Sequence, residues 1–163
     1  MPEGTLTLDG DSVTLRFERT VTAPPSAVWS GLVEPSQLKE WLAEAEFDAR
    51  VGGAVHLVWP GMGEMRGVVR ACDEASVIEY TWDESEGSSV VRWEIAALDE
   101  GRSALRLIHA DTTKEGAAGA GAGWQSHLEA LDVVLAGGRS TPDQRNERYE
   151  ELHPEYLEAV AQL

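Results

Sequence analysis

VTLRFERTVTAPPSAVWSGLVEPSQLKEW, residues Val13 to Trp41, is the stretch that decides the fold. Its first ten residues alternate. Val13, Leu15, Phe17, Arg19 and Val21 fall on one side, and Thr14, Arg16, Glu18, Thr20 and Thr22 on the other. A period of two predicts a half-buried strand. Pro24 and Pro25 stop it, because proline brings no N–H to the ladder. Pro25 suits the first position of a helix, and Val28, Trp29 and Leu32 follow at helical spacing. Glu34-Pro35 breaks that helix, and Leu38, Trp41 and Leu42 give a second one its apolar stripe.

Beyond Leu42 the period returns to two. Glu44 to Val51 alternates, with Ala45, Phe47, Ala49 and Val51 on one side, and Gly52-Gly53 signals a hairpin. Further strands are expected over Val55 to Trp59, Met65 to Ala71, Val77 to Asp83, Val90 to Leu98 and Arg102 to Asp111. In the last, Leu105, Leu107, His109 and Asp111 share a face. Short acidic turns, DEAS, ESEGSS and DEG, join them into an antiparallel meander. Residues 113–123, TKEGAAGAGAG, read as a flexible glycine loop. Trp124 to Ala136 then reads as an amphipathic helix with Trp124, His127, Leu128, Leu131, Val134 and Leu135 on its stripe, closed by Gly137-Gly138. Thr141-Pro142-Asp143-Gln144 starts another helix with a capping box, which Pro154 restarts or kinks. The expected organisation is a loose arm over residues 1–12, a domain over 13–138 and a helical tail over 139–163.

Composition narrows the partners. The 163 residues carry 13 basic and 29 acidic side chains, a net charge of −16, which repels phosphate backbones and anionic lipid heads. Neither nucleic acid nor a membrane surface is expected. Cys72 stands alone, so no internal disulfide forms, and no signal peptide or spanning run is evident. A cytoplasmic protein is the expectation. The six tryptophans can each bury roughly 150–250 Å², so core packing is the default role against which any ligand site is argued.

The order of motifs resembles a known family. R-x-x-x-A-P-P-x-x-V-W-x-x-L from Arg19 to Leu32, Trp41-Leu42, Val51 to Gly53 and Gly67-Val68-Val69 come first. Tyr80 to Trp82, L-x-L-x-H from Leu105 to His109 and G-W-x-x-H-L-x-x-L from Gly123 to Leu131 complete the set. Together they resemble the START-like (SRPBCC) superfamily, and within it the activator of heat-shock-protein-ninety ATPase homologue family. The resemblance implies an α+β helix-grip fold, a curved antiparallel β-sheet wrapped round a long C-terminal helix with room for an apolar cavity. It also implies, as a second reading, a co-chaperone-like or stress-related interaction module with a chaperone partner.

No catalytic signature stands out, and the glycine loop fails the dinucleotide template, since Trp124 stands where the third glycine of Gly119-x-Gly121 belongs. No cofactor is expected. The cavity candidates are Trp41, Trp59, Met65, Tyr80, Trp82, Trp93, His109, Trp124 and His127: aromatics converging from strands and helix, with two imidazoles among them. They either fill the space between sheet and helix or line an opening in it. The leading expectation is a non-catalytic module holding a small hydrophobic or aromatic molecule. An alternative is a cyclase- or dehydratase-type enzyme using His109 with Asp111 or His127. The same three residues are also the only candidate metal ligands. The tail helix either packs on the domain surface or pairs with a second copy in a homodimer through Tyr149, Leu152, Tyr156, Leu157 and Val160.

Overall fold

Prolines set where the first helices begin. The computed structural model describes residues 2–83 and 89–163. Pro25 and Pro35 each occupy the first turn of a short helix, α1 (Pro25–Val33) and α2 (Pro35–Trp41). Before them run β1 (Thr5–Asp9) and β2 (Ser12–Val21), and after them β3 (Glu44–Phe47), β4 (Ala54–Trp59), β5 (Gly63–Asp73), β6 (Val77–Thr81), β7 (Val90–Asp99) and β8 (Arg102–Thr113). Two long helices close the chain, α3 (Lys114–Leu135) and α4 (Pro142–Ala161). The eight strands form one antiparallel sheet in the order β1-β2-β8-β7-β6-β5-β4-β3. Its concave face packs on α1, α2 and α3, which is the expected helix-grip architecture.

The sheet bends at β5. Residues 63–68 of that strand pair with β4, and a register shift between Val69 and Ala71 turns the remainder onto β6. Gly67 makes the bend sterically feasible: a Cβ there would lie 1.9 Å from the carbonyl oxygen of Thr81. The Thr81 hydroxyl accepts from Val68 N–H across the same fold at 2.9 Å.

Four expectations are corrected. The arm over residues 1–12 is not loose. Thr5 to Asp9 alternates, turns at Gly10 with φ +64°, and pairs with β2 as an edge strand. The strand read to Val51 ends at Phe47, because the turn over residues 48–53 folds back on itself. There a Cβ on Gly53 would meet the Asp48 carbonyl at 2.0 Å. The glycine segment is helix, not loop: α3 begins at Lys114, capped by the Thr113 hydroxyl accepting from Gly116 N–H at 3.0 Å. Finally, α4 packs on α3 within the same core. Leu152 and Tyr156 are fully buried against their own chain, so they are not free to form the apolar face of a dimer. Pro154 lies inside this continuous helix. The turn read over residues 84–88 lies outside the described residues.

Two glycines of α3 give a sharp test of this packing. A Cβ on Gly121 would meet the Tyr156 ring at 2.3 Å, whereas one on Gly123 would meet nothing within 4 Å. Gly121→Ala is expected to destabilise the protein by about 1–3 kcal/mol through overpacking. Gly123→Ala is expected to stabilise it by about 0.5–1 kcal/mol through reduced backbone freedom in the unfolded chain. Urea unfolding of both variants checks the opposite signs.

Candidate functional site

Helical spacing places Gly119, Gly123 and His127 on one face of α3, with Ala120 and Trp124 beside them. Because the first two carry no side chain, the space between helix and sheet is left unfilled here, a cavity of about 160 Å³. Trp59 of β4, Trp82 just past β6, His109 of β8 and Leu42 after α2 complete its walls. It runs on past Trp59, Gly123 and His127 into an outer cleft of about 740 Å³ between α2, the β4–β5 turn and α4. Arg145 and Tyr149 of α4 line that cleft, as does Met62, which is 70% exposed at its rim.

A continuous set of rings forms the floor. Trp41 meets Trp93 edge-on at 6.0 Å, Trp93 meets Trp124 at 5.6 Å, Trp124 meets Trp82 at 5.0 Å, and Trp82 meets Trp59 at 6.0 Å. Edge-to-face and tilted pairs at these separations favour the aromatic quadrupoles and fix ring orientation. Three buried indole N–H groups have acceptors. Trp41 donates to the Gly31 carbonyl at 2.8 Å, Trp93 to the Tyr80 hydroxyl at 3.1 Å, and Trp124 to Nδ1 of His109 at 2.9 Å.

The structure therefore divides the predicted residues. Trp59, Trp82, His109, Trp124 and His127 line the cavity. Trp41, Met65, Tyr80 and Trp93 are buried in the core behind it, each 2% exposed or less. Leu42, Gly119, Ala120 and Gly123 were not singled out from sequence, nor were Arg145 and Asn146 of the outer cleft; the glycine run was the signal, read as a loop. His56 lies elsewhere, 2.6 Å from Glu64 across β4 and β5, and His153 stacks on Tyr149.

The pairing of His109 with Asp111 is overturned. Opposite Val13 and Leu15 of β2 stand Thr112 and His109, so β8 carries one extra residue at a bulge. Asp111 takes φ +61° there, and the alternation flips: Thr112 is buried and Asp111 exposed. The only carboxylate proposed for the site points away from it. Among the described residues no group of three or more His, Cys, Asp or Glu side chains is placed to hold a metal.

Both imidazoles are held neutral. Burial pushes His109 down to about 4. Burial also pushes His127 down to about 4, aided by Arg145 and opposed by the Trp41 carbonyl, which its Nδ1 approaches at 3.0 Å. His109 Nε2 is buried with no hydrogen-bond partner. Such an orphan costs on the order of 1–3 kcal/mol in an empty site.

A curved antiparallel sheet gripping a long helix over a ring-lined cavity defines a START-like protein. The chain belongs to the family described as Activator of Hsp90 ATPase homolog 1-like protein, whose model matches residues 22–136. Among solved structures it is similar to CalU16 from Micromonospora echinospora, at 22% identity and TM-score 0.78 over 98% of each chain. It is also similar to EF2215 from Enterococcus faecalis, described as a conserved protein of unknown function, at 21% identity and TM-score 0.81, covering 99% of this chain and 92% of that one. A third is MLL2253 from Mesorhizobium loti, at 25% identity and TM-score 0.71, covering 76% of this chain and 96% of that one. No curated protein matches. No helix among the described residues is long and apolar enough to cross a membrane.

The depressed histidines link stability to pH. A base whose folded value lies below its unfolded one binds fewer protons when folded, so stability is complete above about 6.5 and is lost as pH falls towards about 4. For buried His109 the loss is on the order of 3 kcal/mol. His127, whose value burial also lowers, contributes in the same direction. Urea unfolding between pH 7 and 4 is expected to show this slope, and His109→Phe to flatten it.

Proposed function

We propose that this protein is a non-catalytic binding module that holds a small hydrophobic or aromatic molecule between the sheet and α3. The observation that carries the reading is the cavity over the glycine face of α3, walled by Trp59, Trp82 and Trp124 and continuous with the outer cleft. Apolar, ring-lined concavities with few polar groups are what small-molecule sites require. The two glycines that line the cavity, Gly119 and Gly123, cost about 1 kcal/mol each relative to alanine in a helix. An empty space maintained at that cost favours an occupant over simple packing. Membership of the family supports the same reading.

The family description also names an ATPase activator, which favours contact with a chaperone as a second reading. It ranks below the first, because an interior cavity with an unsatisfied donor serves no purpose in surface docking. Stimulation of a chaperone ATPase by the purified protein would reverse that order.

The neutral fluorophore N-phenyl-1-naphthylamine tests the leading reading. It is expected to bind saturably, with quenching of tryptophan emission as it lodges against Trp82 and Trp124. Gly123→Leu places a side chain in open space and is expected to weaken binding by about tenfold or more while the protein stays folded. Absence of saturable binding to the wild type, or equal binding to Gly123→Leu, would overturn the assignment.

A further inference from the structure

The inner end of the cavity has a defined polarity. Resting on the binding function above, we propose that it selects a neutral, flat ligand bearing a hydrogen-bond acceptor, a carbonyl oxygen or a ring nitrogen, which His109 Nε2–H engages.

The assignment follows from which atoms can donate. An indole N–H only donates. Trp124 Nε1 lies 2.9 Å from His109 Nδ1, so Nδ1 presents its lone pair and a neutral imidazole carries its one proton on Nε2. That Nε2 is the one buried side-chain nitrogen or oxygen without a partner among the described residues. The side chain is 3% exposed and lines the cavity. Its ring neighbours are Trp82 at 5.6 Å and Trp124 at 6.1 Å, neither of which offers an acceptor in the ring plane. A molecule in the cavity that His109 lines is placed to supply the missing partner.

His127 is set the opposite way. Its Nδ1 lies 3.0 Å from the Trp41 carbonyl oxygen, which only accepts, so the proton is on Nδ1 and the lone pair on Nε2. The cavity thus offers a fixed donor from the sheet and a fixed acceptor from the helix. A ligand hydroxyl or N–H suits the second position. Charge is disfavoured at the inner end: one donor is too few for a carboxylate, and Asp111, which could have met a cation, faces solvent.

Chromone and naphthalene, flat bicyclic probes that differ in the oxygen acceptors, separate this claim from the one it rests on. Calorimetric titration of the wild type is expected to favour chromone by about tenfold, the worth of one hydrogen bond. In His109→Phe the preference is expected to vanish through loss of chromone affinity, with naphthalene binding retained. Nitrogen-15 NMR of the wild type, which does not depend on that variant folding, is expected to find the His109 proton on Nε2 and to see it shift with chromone only. Equal affinities, a preference that survives in His109→Phe, or a proton on Nδ1 would overturn the acceptor assignment. If naphthalene binds and Gly123→Leu excludes it while chromone has no advantage, the acceptor assignment alone falls. If neither probe binds, the cavity function falls and takes this inference with it.

Discussion

The packing depends on one helix segment that lacks side chains where neighbours approach. On one flank of α3, Gly121 admits the Tyr156 ring, and Gln125 a turn later accepts from its hydroxyl at 2.7 Å. That hydroxyl in turn accepts from Gly4 N–H at 2.9 Å, so the start and end of the chain meet on the same helix. On another flank, Gly119 and Gly123 leave the cavity. Adding side chains to both flanks would strengthen the isolated helix, but it would expel α4 and fill the space. The helix is stabilised from outside instead. Arg19, near the end of β2, reaches the Leu128 carbonyl, Asp132 and Glu3, tying the sheet, the helix and the segment before β1 together.

A single extra residue in β8 decides what chemistry the cavity contains. Without the bulge, the period of two would bring Asp111 to the face that holds His109, giving a carboxylate–imidazole pair at the wall. The bulge turns Asp111 outward in the left-handed conformation that aspartate tolerates. It puts Thr112 inward, where its hydroxyl donates to the Val13 carbonyl at 2.7 Å. His109 is left with Trp124 on one ring nitrogen and nothing on the other.

Much of the fold was legible because periodicity and proline are local signals. The strand-helix-helix opening, the meander and both helix-starting prolines could be read residue by residue. Three things were not. The edge strand at Thr5 to Asp9 is short and polar and so carries a weak signal, although its T-L-T-L alternation and Asp-Gly turn mark it. The glycine run read as a loop because intrinsic propensity disfavours helix there, and only tertiary contact with Tyr156 and the sheet overrides it. The bulge at Asp111 cannot be seen in the alternation, which continues unbroken through it. The same limits apply to the site, where Trp59, Trp82, His109, Trp124 and His127 line one cavity. Which inward aromatics touch empty space, and which lie behind it, depends on where the glycine face of α3 leaves that space unfilled.

The polarity of the cavity is a consequence of how the surrounding indoles are satisfied. Three tryptophans are buried with their N–H groups inward, and each must find an acceptor. Trp41 uses a backbone carbonyl and Trp93 uses the Tyr80 hydroxyl. Burial keeps that hydroxyl protonated by pushing its ionisation well above the usual range. Trp124 uses an imidazole, the one acceptor of the three that itself carries a proton on the opposite edge of the same ring. Accepting there fixes the tautomer, and the donor is passed on to the far side of the ring. The nitrogen there has no partner. The His109 Nε2–H is thus left buried without an acceptor of its own, in a side chain that lines the cavity beside the glycine face of α3.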